Sequence, residues 1–551
     1  MAKAQNGDSS VHKVHTFCSL DRLANSPIHL EELSYALEFY PKREVALELK
    51  EGFTKGFRVG YTGPRIARDS RNHKSALERP DVIEQKLTKE VHSGRVAGPF
   101  SSKPLPNIIV SPIGLVEKTT SDEFRLIFDL SHPHNYSIND GIPTEVASVE
   151  YTRFDAITEM VQKLGRDSFL VKLDIESAFR LIPLHPDDFS LMGMQHQGRY
   201  YVDKALPFGC SSSCAIFEKF ATFLEWGAKK VAMSENLVHY LDDFCGGEKS
   251  HADARALLEK SLAFFSYLGV PVAPHKVEGP STCLRFLGLV VDTHKMEIRI
   301  PEEKLKAIQL QVESMLRAKK VTLRELQSLI GRMNFACRAI VPGRPFCRRL
   351  IDATKGIKRQ HHRLRVTQSM KKDLEMWKTF LQDHNGRCII LPSQWVDNVA
   401  VDLHTDASGS IGFGAYFQGH WTHGTWPTHW SKNMPDITYK ELYPIVLAVH
   451  LWSRNMQNKK ILFHCDNQAV VTIINKQTTK SPPSMCLIRL LVLTCMKNNL
   501  LFRAIHLPGK TNQIADALSR GQFDRFRKLA QAADPNPTPI PATLQQLLTW
   551  R

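Results

Sequence analysis

The chain has 551 residues, of which 42% are hydrophobic, so it is long enough for about three or four domains with sizeable cores, and wholesale disorder is excluded. Its formal net charge of +16 favours a polyanionic partner, although a basic protein without such a partner has the same composition. Eleven cysteines without a C-x-x-C pair exclude a zinc knuckle or a disulfide framework. The polar N-terminus shows no signal peptide, and no apolar run has the roughly 18 residues of a membrane span. We therefore expect an intracellular protein of the cytoplasm or nucleus, not secreted and without a membrane partner.

Changes of pattern along the chain divide it into five segments. The first is mixed and charged, the second alternates strand-like runs with helices, and the third is helical. A new α/β pattern begins near residue 396 and ends near "DALSR". The tail "ADPNPTPIPATLQQLLTWR" is predicted as a Pro-rich linker that closes in a short apolar helix. The predicted boundaries are 1–89, 90–300, 301–395, 396–520 and 521–551.

The helical segment contains a clear start signal and a basic strip. In "TLRELQSLIGRMNF", Thr322 and Glu325 have the spacing of a capping box. Residues 338–365 carry nine Lys/Arg and one acidic residue, Asp352. A charge run is usually a solvated face, but this one lies between two candidate catalytic segments, so we also consider it a strip that binds nucleic-acid backbone. One apolar face of the helix, interpreted as core, comprises Leu326, Leu329, Ile330 and Met333.

Two adjacent aspartates stand out in "VHYLDDFCGG" at residues 238–247. The apolar residues favour strands and Gly-Gly favours a turn, so the stretch is predicted as a hairpin with Asp242 and Asp243 near its tip. Negative charge in an apolar strand is costly unless a cation or a basic partner offsets it. An isolated pair would be only a solvated turn, so its meaning depends on further carboxylates.

A third carboxylate can complete such a site. "FLVKLDIESAFRLIPL" places Asp174 at the end of an apolar strand, and neighbouring strands would bring it to the aspartate pair. Three carboxylates at one edge would bind two divalent ions and clamp the attacking and leaving oxygens of a phosphoryl transfer. Lys118 and Arg125, seven residues apart around a turn, have the charge to hold a triphosphate. The flexible Gly209 turn in "LPFGCSSSCAIF" is placed to lie against a base or ribose.

In their order and identity, these segments resemble the motifs of a retroelement reverse transcriptase. "LVKLDIESAF" resembles the first palm motif, "ALPFGCSSSCAIF" the second, and "YLDDF" the Tyr-x-Asp-Asp hairpin, while "HKVEG" and "RFLGLVV" resemble the two motifs that follow. The resemblance implies an α/β (α+β) right-hand polymerase, with fingers and palm at 90–300 and a helical thumb or connection at 301–395. Residues 1–89 would be an N-terminal extension.

The resemblance also implies a role for each matching residue. Asp174, Asp242 and Asp243 would be the catalytic carboxylates holding two Mg²⁺ or Mn²⁺ ions, with the Ile175 carbonyl assisting one of them. Arg285–Gly288 would be the primer grip. The residues that would contact the incoming dNTP are Lys118, Arg125, Phe179, Phe208 and Gly209.

A second acidic series begins in "HTDAS". It comprises Asp406 at a strand end, Glu441 on a helix, Asp466 at a strand end and Asp516 in a helix. Each has a structural alternative: Glu441 as the capping-box partner of Thr438, and the last two aspartates as helix N-caps or first-turn acids. Taken singly, those alternatives are favoured because capping is the commoner use of such residues.

Taken together, the four acids resemble those of ribonuclease H, in the same order on strand, helix, strand and helix. "HLPGKTNQIADALSR" resembles the closing segment found in retroelements, with His506 ten residues before Asp516. The resemblance implies a ribonuclease H-like α/β domain at 396–520 that holds two Mg²⁺ ions on its four acids. His506 would assist proton transfer or product release.

The finer pattern resembles tyrosine-recombinase (DIRS-type) retrotransposons, relatives of the Ty3/gypsy group, through "GRVAGPF", "VSPIGLVEK", "RLIFDLSHPHNYSIND" and "DPNPTPIP". Only 31 residues follow Arg520, too few for a recombinase, so we expect any recombinase to be encoded separately or downstream. Neither a protease motif nor an integrase segment is found.

The leading hypothesis is an RNA-directed DNA polymerase with a C-terminal ribonuclease H that acts on an RNA template, a DNA primer, RNA–DNA hybrid and dNTPs. The alternative is a catalytically silent, retroelement-derived nucleic-acid-binding protein. The complete acidic sets argue against that alternative. A capsid-like structural protein has no supporting motif.

Overall fold

The computed structural model describes residues 19–117, 123–152, 154–383, 387–390, 394–397, 399–431, 436–506 and 512–548. The chain divides into two compact units. The first comprises Met1–Met160 and Asp167–Leu284, and the second comprises Val161–Arg166 and Arg285–Arg551. No helix in the described part of the chain is long and apolar enough to cross a membrane.

The first unit mixes helices with short strands. Its helices are α1 (Leu30–Glu38), α2 (Arg43–Lys55), α3 (Lys74–Glu78), α4 (Pro80–His92), α5 (Thr144–Ala147), α6 (Asp155–Leu164, which continues into the second unit), α7 (Ser213–Ala232) and α8 (His251–Tyr267). Its strands are β1 (Arg68–Asp69), β2 (Val96–Phe100), β3 (Ile109–Val110), β4 (Ile113–Glu117), β5 (Phe124–Phe128), β6 (Phe169–Asp174), β7 (Gly193–His196), β8 (Arg199–Asp203), β9 (Leu237–Tyr240), β10 (Asp243–Glu248), β11 (Glu278–Ser281) and β12 (Cys283–Phe286, which crosses the division).

Three sheets organise this unit. One has the strand order β1-β3-β7-β8-β2, and another is the antiparallel pair of β4 and β5. The third has the order β11-β6-β10-β9, with β6 and β9 both antiparallel to β10. This third sheet carries Asp174 at the end of β6 and Asp243 at the start of β10.

The predicted N-terminal extension contributes to the core of the first unit. The ring of Tyr40, just after α1, packs edge-on against Phe223 of α7 with centroids 5.4 Å apart. Phe53 of α2 lies 4.8 Å from Phe220. These contacts fix α1 and α2 on α7. The buried Lys204 ammonium holds the segment before α1 by donating to the carbonyl oxygens of Ser19, Arg22 and Leu23.

The second unit begins with a hairpin and a helical region. Its helices are α9 (Glu302–Arg317), α10 (Leu323–Ala336), α11 (Arg348–Ala353), α12 (Gln368–Asp383), α13 (Ile437–Trp452), α14 (Gln468–Lys476), α15 (Pro482–Lys497), α16 (Gln513–Ser519), α17 (Phe523–Leu529) and α18 (Ala542–Leu547). Its strands are β13 (Leu289–Asp292), β14 (Glu297–Arg299), β15 (Lys320–Thr322), β16 (Arg363–Arg365), β17 (Arg387–Ile389), β18 (Trp395–Asp397), β19 (Leu403–Ala407), β20 (Gly412–Phe417), β21 (His420–Thr425), β22 (Lys460–Cys465) and β23 (Leu501–His506).

Local sequence signals are confirmed in the helical region. The capping box at the start of α10 is present, because Thr322 accepts from the Glu325 amide and Glu325 accepts from the Thr322 amide. Of the four residues on the predicted apolar face, three are buried and Ile330 is half-buried. The pattern of "RFLGLVVDTHKMEIRI" predicts a hairpin around its Asp-Thr-His-Lys turn, and β13 and β14 form that hairpin, with Asp292 opposite Glu297.

The C-terminal α/β part contains two three-stranded sheets. Strands β19, β20 and β21 form an antiparallel meander, and β18, β22 and β23 run parallel in the order β18-β22-β23. Helix α13 is buried along most of its length, as its almost wholly apolar sequence requires. The predicted mixed α/β class is confirmed.

In place of the predicted free linker, the segment after α17 is bound to this α/β part. The Thr538 amide donates to the Trp421 carbonyl at 2.7 Å, and the Trp421 indole donates to the Asp534 carbonyl at 2.7 Å. Leu544 of α18 is fully buried in the core beside Tyr443, whose hydroxyl donates to the Leu544 carbonyl. Proline-rich composition removes backbone donors but leaves carbonyls and side chains free to dock, which the composition alone does not reveal.

Candidate active sites

The Asp-Asp hairpin has a two-residue turn. Tyr240 of β9 pairs directly with Asp243 of β10, so Leu241 and Asp242 form the tip, and Leu241 adopts a left-handed φ of 55°. In place of the predicted Gly-Gly turn, both glycines lie inside β10. A Cβ on Gly246 would stand 2.9 Å from the Asn236 carbonyl oxygen, so close packing is the reason for a glycine there.

The structure brings the three predicted carboxylates of the first unit together. Asp174 ends β6 and lies directly opposite Asp243 of β10. The backbone amide of Ile175 donates to the Asp242 carbonyl at 3.0 Å, which ties the hairpin tip to the chain after β6. We call Asp174, Asp242 and Asp243 the first acidic site.

Burial and mutual repulsion disfavour ionisation in the first acidic site. Burial, followed by the charges of Asp242 and Asp174, raises the pKa of Asp243 to about 6. Burial also raises the pKa of Asp242, with Asp174 adding to the effect. A cation placed among these carboxylates would relieve their mutual repulsion.

Sequence reasoning missed one residue of this site, Lys276. Its ammonium lies 2.7 and 2.8 Å from the two carboxylate oxygens of Asp174. Burial lowers the pKa of Lys276, but the three aspartates outweigh burial and raise it. The signal is present in "HKVEG", a segment whose resemblance to a family motif assigns no role to its lysine.

The predicted nucleotide contacts are placed in part. Lys118 lies outside the described residues, and Arg125 is exposed on β5. Phe179 is buried, with its ring centroid 5.1 Å from that of Phe208, which is 68% exposed. A Cβ on Gly209 would stand 1.9 Å from the Phe128 carbonyl oxygen, so the turn requires glycine for close approach rather than for flexibility.

Sequence reasoning also missed Asn139, which braces the Gly209 turn. Its amide nitrogen donates to the Gly209 carbonyl at 2.9 Å, and its amide oxygen accepts from the Ser211 backbone at 2.8 Å. Both bonds span about seventy residues of sequence. The second asparagine of "NYSIND" carries no sequence signal of such a contact.

The second acidic series occupies the predicted elements. Asp406 lies in β19 and Glu441 in α13. Asp466 follows β22, and Asp516 lies in α16. His506 ends β23, with its Nε2 atom 3.0 Å from the Asp466 carbonyl oxygen, to which it can only donate. We call the four acids the second acidic site.

Two of the capping alternatives are overturned by the observed caps. Asp436, not Thr438, caps α13 by accepting from the Tyr439 amide at 2.9 Å, so Glu441 has no capping-box partner. Asn467, not Asp466, caps α14. Asp516 does lie in the first turn of α16, as its structural alternative required.

The second acidic site combines three mutually repelling carboxylates with one neutralised carboxylate. Burial, followed by Asp466 and Asp406, raises the pKa of Glu441 to about 8. Burial likewise raises the pKa of Asp406, despite a 2.5 Å hydrogen bond from the Ser519 hydroxyl. Burial also opposes ionisation of Asp516, but its hydrogen bonds from two guanidinium groups lower its pKa overall, and these come from Arg520 and Arg525 at 2.6 and 2.8 Å.

Both sites have the chemistry of a divalent-cation site without its final geometry. Carboxylate oxygens are the ligands that Mg²⁺ prefers. Among the described residues, no three His, Cys, Asp or Glu side chains converge as a ready-made metal-binding group. In the first acidic site the Lys276 ammonium contacts the Asp174 oxygens that a metal would take. The predicted metal ligands therefore fit in kind, and their role stays a prediction.

The basic strip is divided between paired and exposed cations. The Arg348 guanidinium pairs with Asp352 at 2.9 Å, and the Arg349 guanidinium pairs with the buried Asp373 at 2.9 Å. Lys358 and Arg359 are exposed, and neither has an ion pair with the described residues. The exposed members are the ones free to meet an outside phosphate.

The first acidic site lies in a segment that matches a known protein family. Residues 116–291 match the family model described as reverse transcriptase (RNA-dependent DNA polymerase). This match spans Asp174, the Asp-Asp hairpin and Lys276. The chain therefore carries a reverse transcriptase domain at residues 116–291.

Curated relatives are similar over longer stretches. The "Transposon Tf2-3 polyprotein" of Schizosaccharomyces pombe is 22% identical over 380 residues, which cover 66% of this chain and 26% of that polyprotein. The "Retrovirus-related Pol polyprotein from transposon opus" of Drosophila melanogaster is 22% identical over 448 residues, covering 78% of this chain and 41% of the relative. The chain thus spans about a quarter to two fifths of these relatives' lengths. The solved foamy viral protease-reverse transcriptase dRH in complex with ds DNA covers 86% of this chain and 81% of its own, with a TM-score of 0.49 and 16% identity.

Proposed function

We propose that the chain is an RNA-directed DNA polymerase that also cleaves the RNA strand of RNA–DNA hybrids. The observation that carries the proposal is the placement of Asp174 directly opposite Asp243, beside Asp242, within the segment that matches the reverse transcriptase family. Two Mg²⁺ or Mn²⁺ ions on these acids would activate the primer 3′ oxygen and stabilise the departing pyrophosphate. The description of the matching family, RNA-dependent DNA polymerase, supports a nucleic-acid substrate, and we extend it to RNA template, DNA primer and dNTPs.

In the proposed reaction, residues of the first unit bind and orient the nucleotide. Asp174, Asp242 and Asp243 would hold the ions, with the Ile175 carbonyl as a further ligand. Lys118 and Arg125 would bind the triphosphate as cations. The exposed ring of Phe208 and the tight Gly209 turn would bound the nucleotide pocket, and Phe179 would lie behind them under the sugar.

The second acidic site supports the proposed hydrolysis of the RNA strand. Burial, followed by repulsion from Asp466 and Asp406, raises the pKa of Glu441 to about 8, and a divalent cation bound among these acids would relieve that repulsion. Asp516 would be the fourth ligand once its two arginine partners are displaced. His506 would hold or transfer a proton near the scissile phosphate.

The acidic sets also bear on the alternative, a catalytically silent nucleic-acid-binding protein. A decayed enzyme would not be selected to keep three carboxylates close together in a buried site, because their mutual repulsion destabilises the fold unless a cation offsets it. We further propose a DIRS-type affinity within the Ty3/gypsy relatives, carried by the sequence patterns named above. In that case a tyrosine recombinase would be a partner encoded separately or downstream.

Primer extension on an RNA template with Mg²⁺ tests the proposal. The folded chain should add dNTPs to an annealed DNA primer, and the Asp243→Asn variant should not. Release of labelled RNA fragments from a preformed hybrid tests the second activity. Binding of hybrid without extension or cleavage in Mg²⁺ or Mn²⁺ would favour the silent alternative.

A further inference from the structure

One strand of the Asp-Asp hairpin carries a buried histidine to which no sequence motif assigns a role. His239 on β9 is 3% exposed and comes three residues before Asp242. Its Nδ1 atom lies 2.5 Å from a carboxylate oxygen of Glu225, and its Nε2 atom lies 3.1 Å from a carboxylate oxygen of Glu218. Carboxylates only accept hydrogen bonds, so both ring nitrogens must carry hydrogen and the ring is a buried imidazolium.

Both acids come from one face of α7. Glu218 and Glu225 are seven residues apart, which is about two helical turns. Glu225 also accepts from the His239 backbone amide at 3.1 Å, and its second oxygen accepts from Lys229 at 2.6 Å. Strand β9 is therefore joined to α7 at His239 by charge-assisted hydrogen bonds, which are stronger than neutral ones.

The imidazolium is also joined to the strand that carries Asp243. The His239 ring stacks on the ring of Phe244, its direct partner across the hairpin, with centroids 5.4 Å apart at 28°. Phe244 is the residue after Asp243, and α7 begins four residues after Gly209. One side chain thus links both hairpin strands to the helix that follows the nucleotide-pocket turn.

We propose that His239, held between Glu218 and Glu225, is a positioning residue that fixes the Asp-Asp hairpin on α7 and so sets the place of Asp242 and Asp243. Only the kinetic test of this proposal rests on the polymerase function proposed above. A hairpin tip with a left-handed residue and two adjacent acids repels itself, so it needs a rigid support to hold a reactive geometry.

The surroundings of the ring explain why the charge is retained. Burial alone lowers the pKa of His239, but Glu218 and Glu225 outweigh burial and raise it to about 9. The imidazolium should therefore persist at neutral pH. The titratable groups around this cluster are Glu218, Glu225, Lys229, Tyr40, Tyr151, Tyr240 and Cys214.

The test compares His239→Phe with His196→Phe in the full chain. The first replacement keeps an aromatic ring against Phe244 and removes both donors. The second removes another buried histidine of the same unit, on β7, which belongs to a different sheet from the hairpin. Hydrogen exchange of the peptide 237–248 should rise at least about tenfold in His239→Phe and stay unchanged in His196→Phe. Unchanged exchange in a folded His239→Phe protein overturns the proposal.

Kinetics supply the catalytic readout. In His239→Phe, kcat for dNTP addition should fall about 10–100-fold with little change in KM, as for other groups that orient catalytic ligands. An equal loss in His196→Phe would show a general packing effect and overturn the proposal. If His239→Phe does not fold, Glu218→Gln, which keeps the ring and Glu225, should show both effects in milder form, and its silence in both readouts would overturn the proposal. A wild-type chain that extends no primer would refute the proposed polymerase alone, since hydrogen exchange still decides the role of His239.

Discussion

Asp174 and Asp243 stand directly opposite each other across β6 and β10, and the carboxyl group of Asp174 is held by Lys276. Strand register brings the two acids together, and one of them is already paired with the Lys276 ammonium. Removing either carboxylate charge should therefore change the electrostatics of the whole cluster. The second acidic site is assembled independently, within the other unit. Each proposed activity should therefore be separable by mutation.

Asp242→Asn should abolish DNA synthesis, by about 100-fold or more, and leave hybrid cleavage largely intact, because a neutral amide cannot replace a carboxylate ligand. Asp466→Asn should do the reverse. Primer extension and hybrid cleavage, measured on the same preparations with a melting curve, check both. If either variant lost both activities while folded, the model of two independent sites would be wrong.

Glu441 should make the stability of the protein depend on pH. Its pKa is raised to about 8 in the folded state from a usual value near 4.5, so the folded state binds more protons than the unfolded state between these values. The free energy of unfolding should therefore be greatest below about pH 4.5, as far as this group is concerned, and fall as the pH rises to about 8. Urea unfolding in metal-free buffer at several pH values measures this effect.

The matched variant for this prediction is Glu441→Gln, which keeps the shape and removes the titration. Relative to wild type it should gain on the order of 1–3 kcal/mol at pH 8 and nothing at pH 4.5. Glu303→Gln, at an exposed ion pair, should show no such gain. A wild-type stability that is flat across this range would mean that Glu441 ionises normally.

Patterns that depend on neighbouring residues were predictable from sequence, and contacts between distant residues were not. The capping box at Thr322 and the β13–β14 hairpin follow from local chemistry and are confirmed, while the hairpin at Asp242 is observed without the predicted Gly-Gly turn. The pairing of Lys276 with Asp174 joins residues 102 positions apart, and only the fold reveals it. The role of Asn139 has the same origin.

Alternative uses of a residue were also decided by tertiary structure. Glu441 had capping-box spacing, yet Asp436 caps the helix, since the chain enters α13 two residues earlier than the spacing implied. The proline-rich tail had the composition of a linker, yet it docks through backbone amides and carbonyls and through the buried Leu544. Composition describes what a segment cannot donate, and not what it accepts.

The tail should contribute to the stability of the second unit. Leu544→Ala removes a fully buried side chain and should cost about 2–5 kcal/mol of unfolding free energy. Thr543→Ala, the exposed neighbour on the same helix, should change it by no more than about 0.5 kcal/mol. Chemical denaturation compares the two. Equal, small effects would mean that the tail is a free linker after all.

The exposed part of the basic strip should bind nucleic-acid backbone. Replacing Lys358 and Arg359 with Ala should weaken hybrid binding and lower the log–log salt slope by roughly 0.7–0.9 for each phosphate that the protein no longer neutralises. Arg348→Ala is the matched control, because the Arg348 guanidinium is already paired with Asp352. This substitution should leave the salt slope nearly unchanged. Fluorescence anisotropy over a salt series measures both.

An unchanged slope in the Lys358 and Arg359 variant would identify the strip as a solvated surface. Arg349→Ala is unsuitable as a control. It removes one of two arginine partners of the buried Asp373, so its main effect should be a loss of stability.

Phe179 should exclude ribonucleotides while contributing to the core. Its ring is 8% exposed, packs 5.4 Å from the ring of Phe217 on α7, and lies 5.1 Å from the exposed ring of Phe208. A rigid ring beneath the sugar offers a 2′-hydroxyl no hydrogen bond. Desolvating that hydroxyl without a partner costs on the order of 1–3 kcal/mol, which corresponds to roughly 5–150-fold discrimination. Phe179→Val should therefore raise ribonucleotide incorporation relative to dNTP incorporation and lower stability by about 1–3 kcal/mol.

Phe217→Val separates the two roles of the aromatic cluster, because Phe217 is fully buried behind Phe179 and has no face toward a nucleotide pocket. It should lose a similar amount of stability and keep the sugar preference of the wild type. Single-nucleotide incorporation with dNTP and rNTP, alongside a melting curve for each variant, gives both quantities. If Phe179→Val lost stability without any shift in sugar preference, the ring would be core alone. If both variants shifted the preference equally, the discrimination would arise from the packing of α7 and not from the ring beneath the sugar.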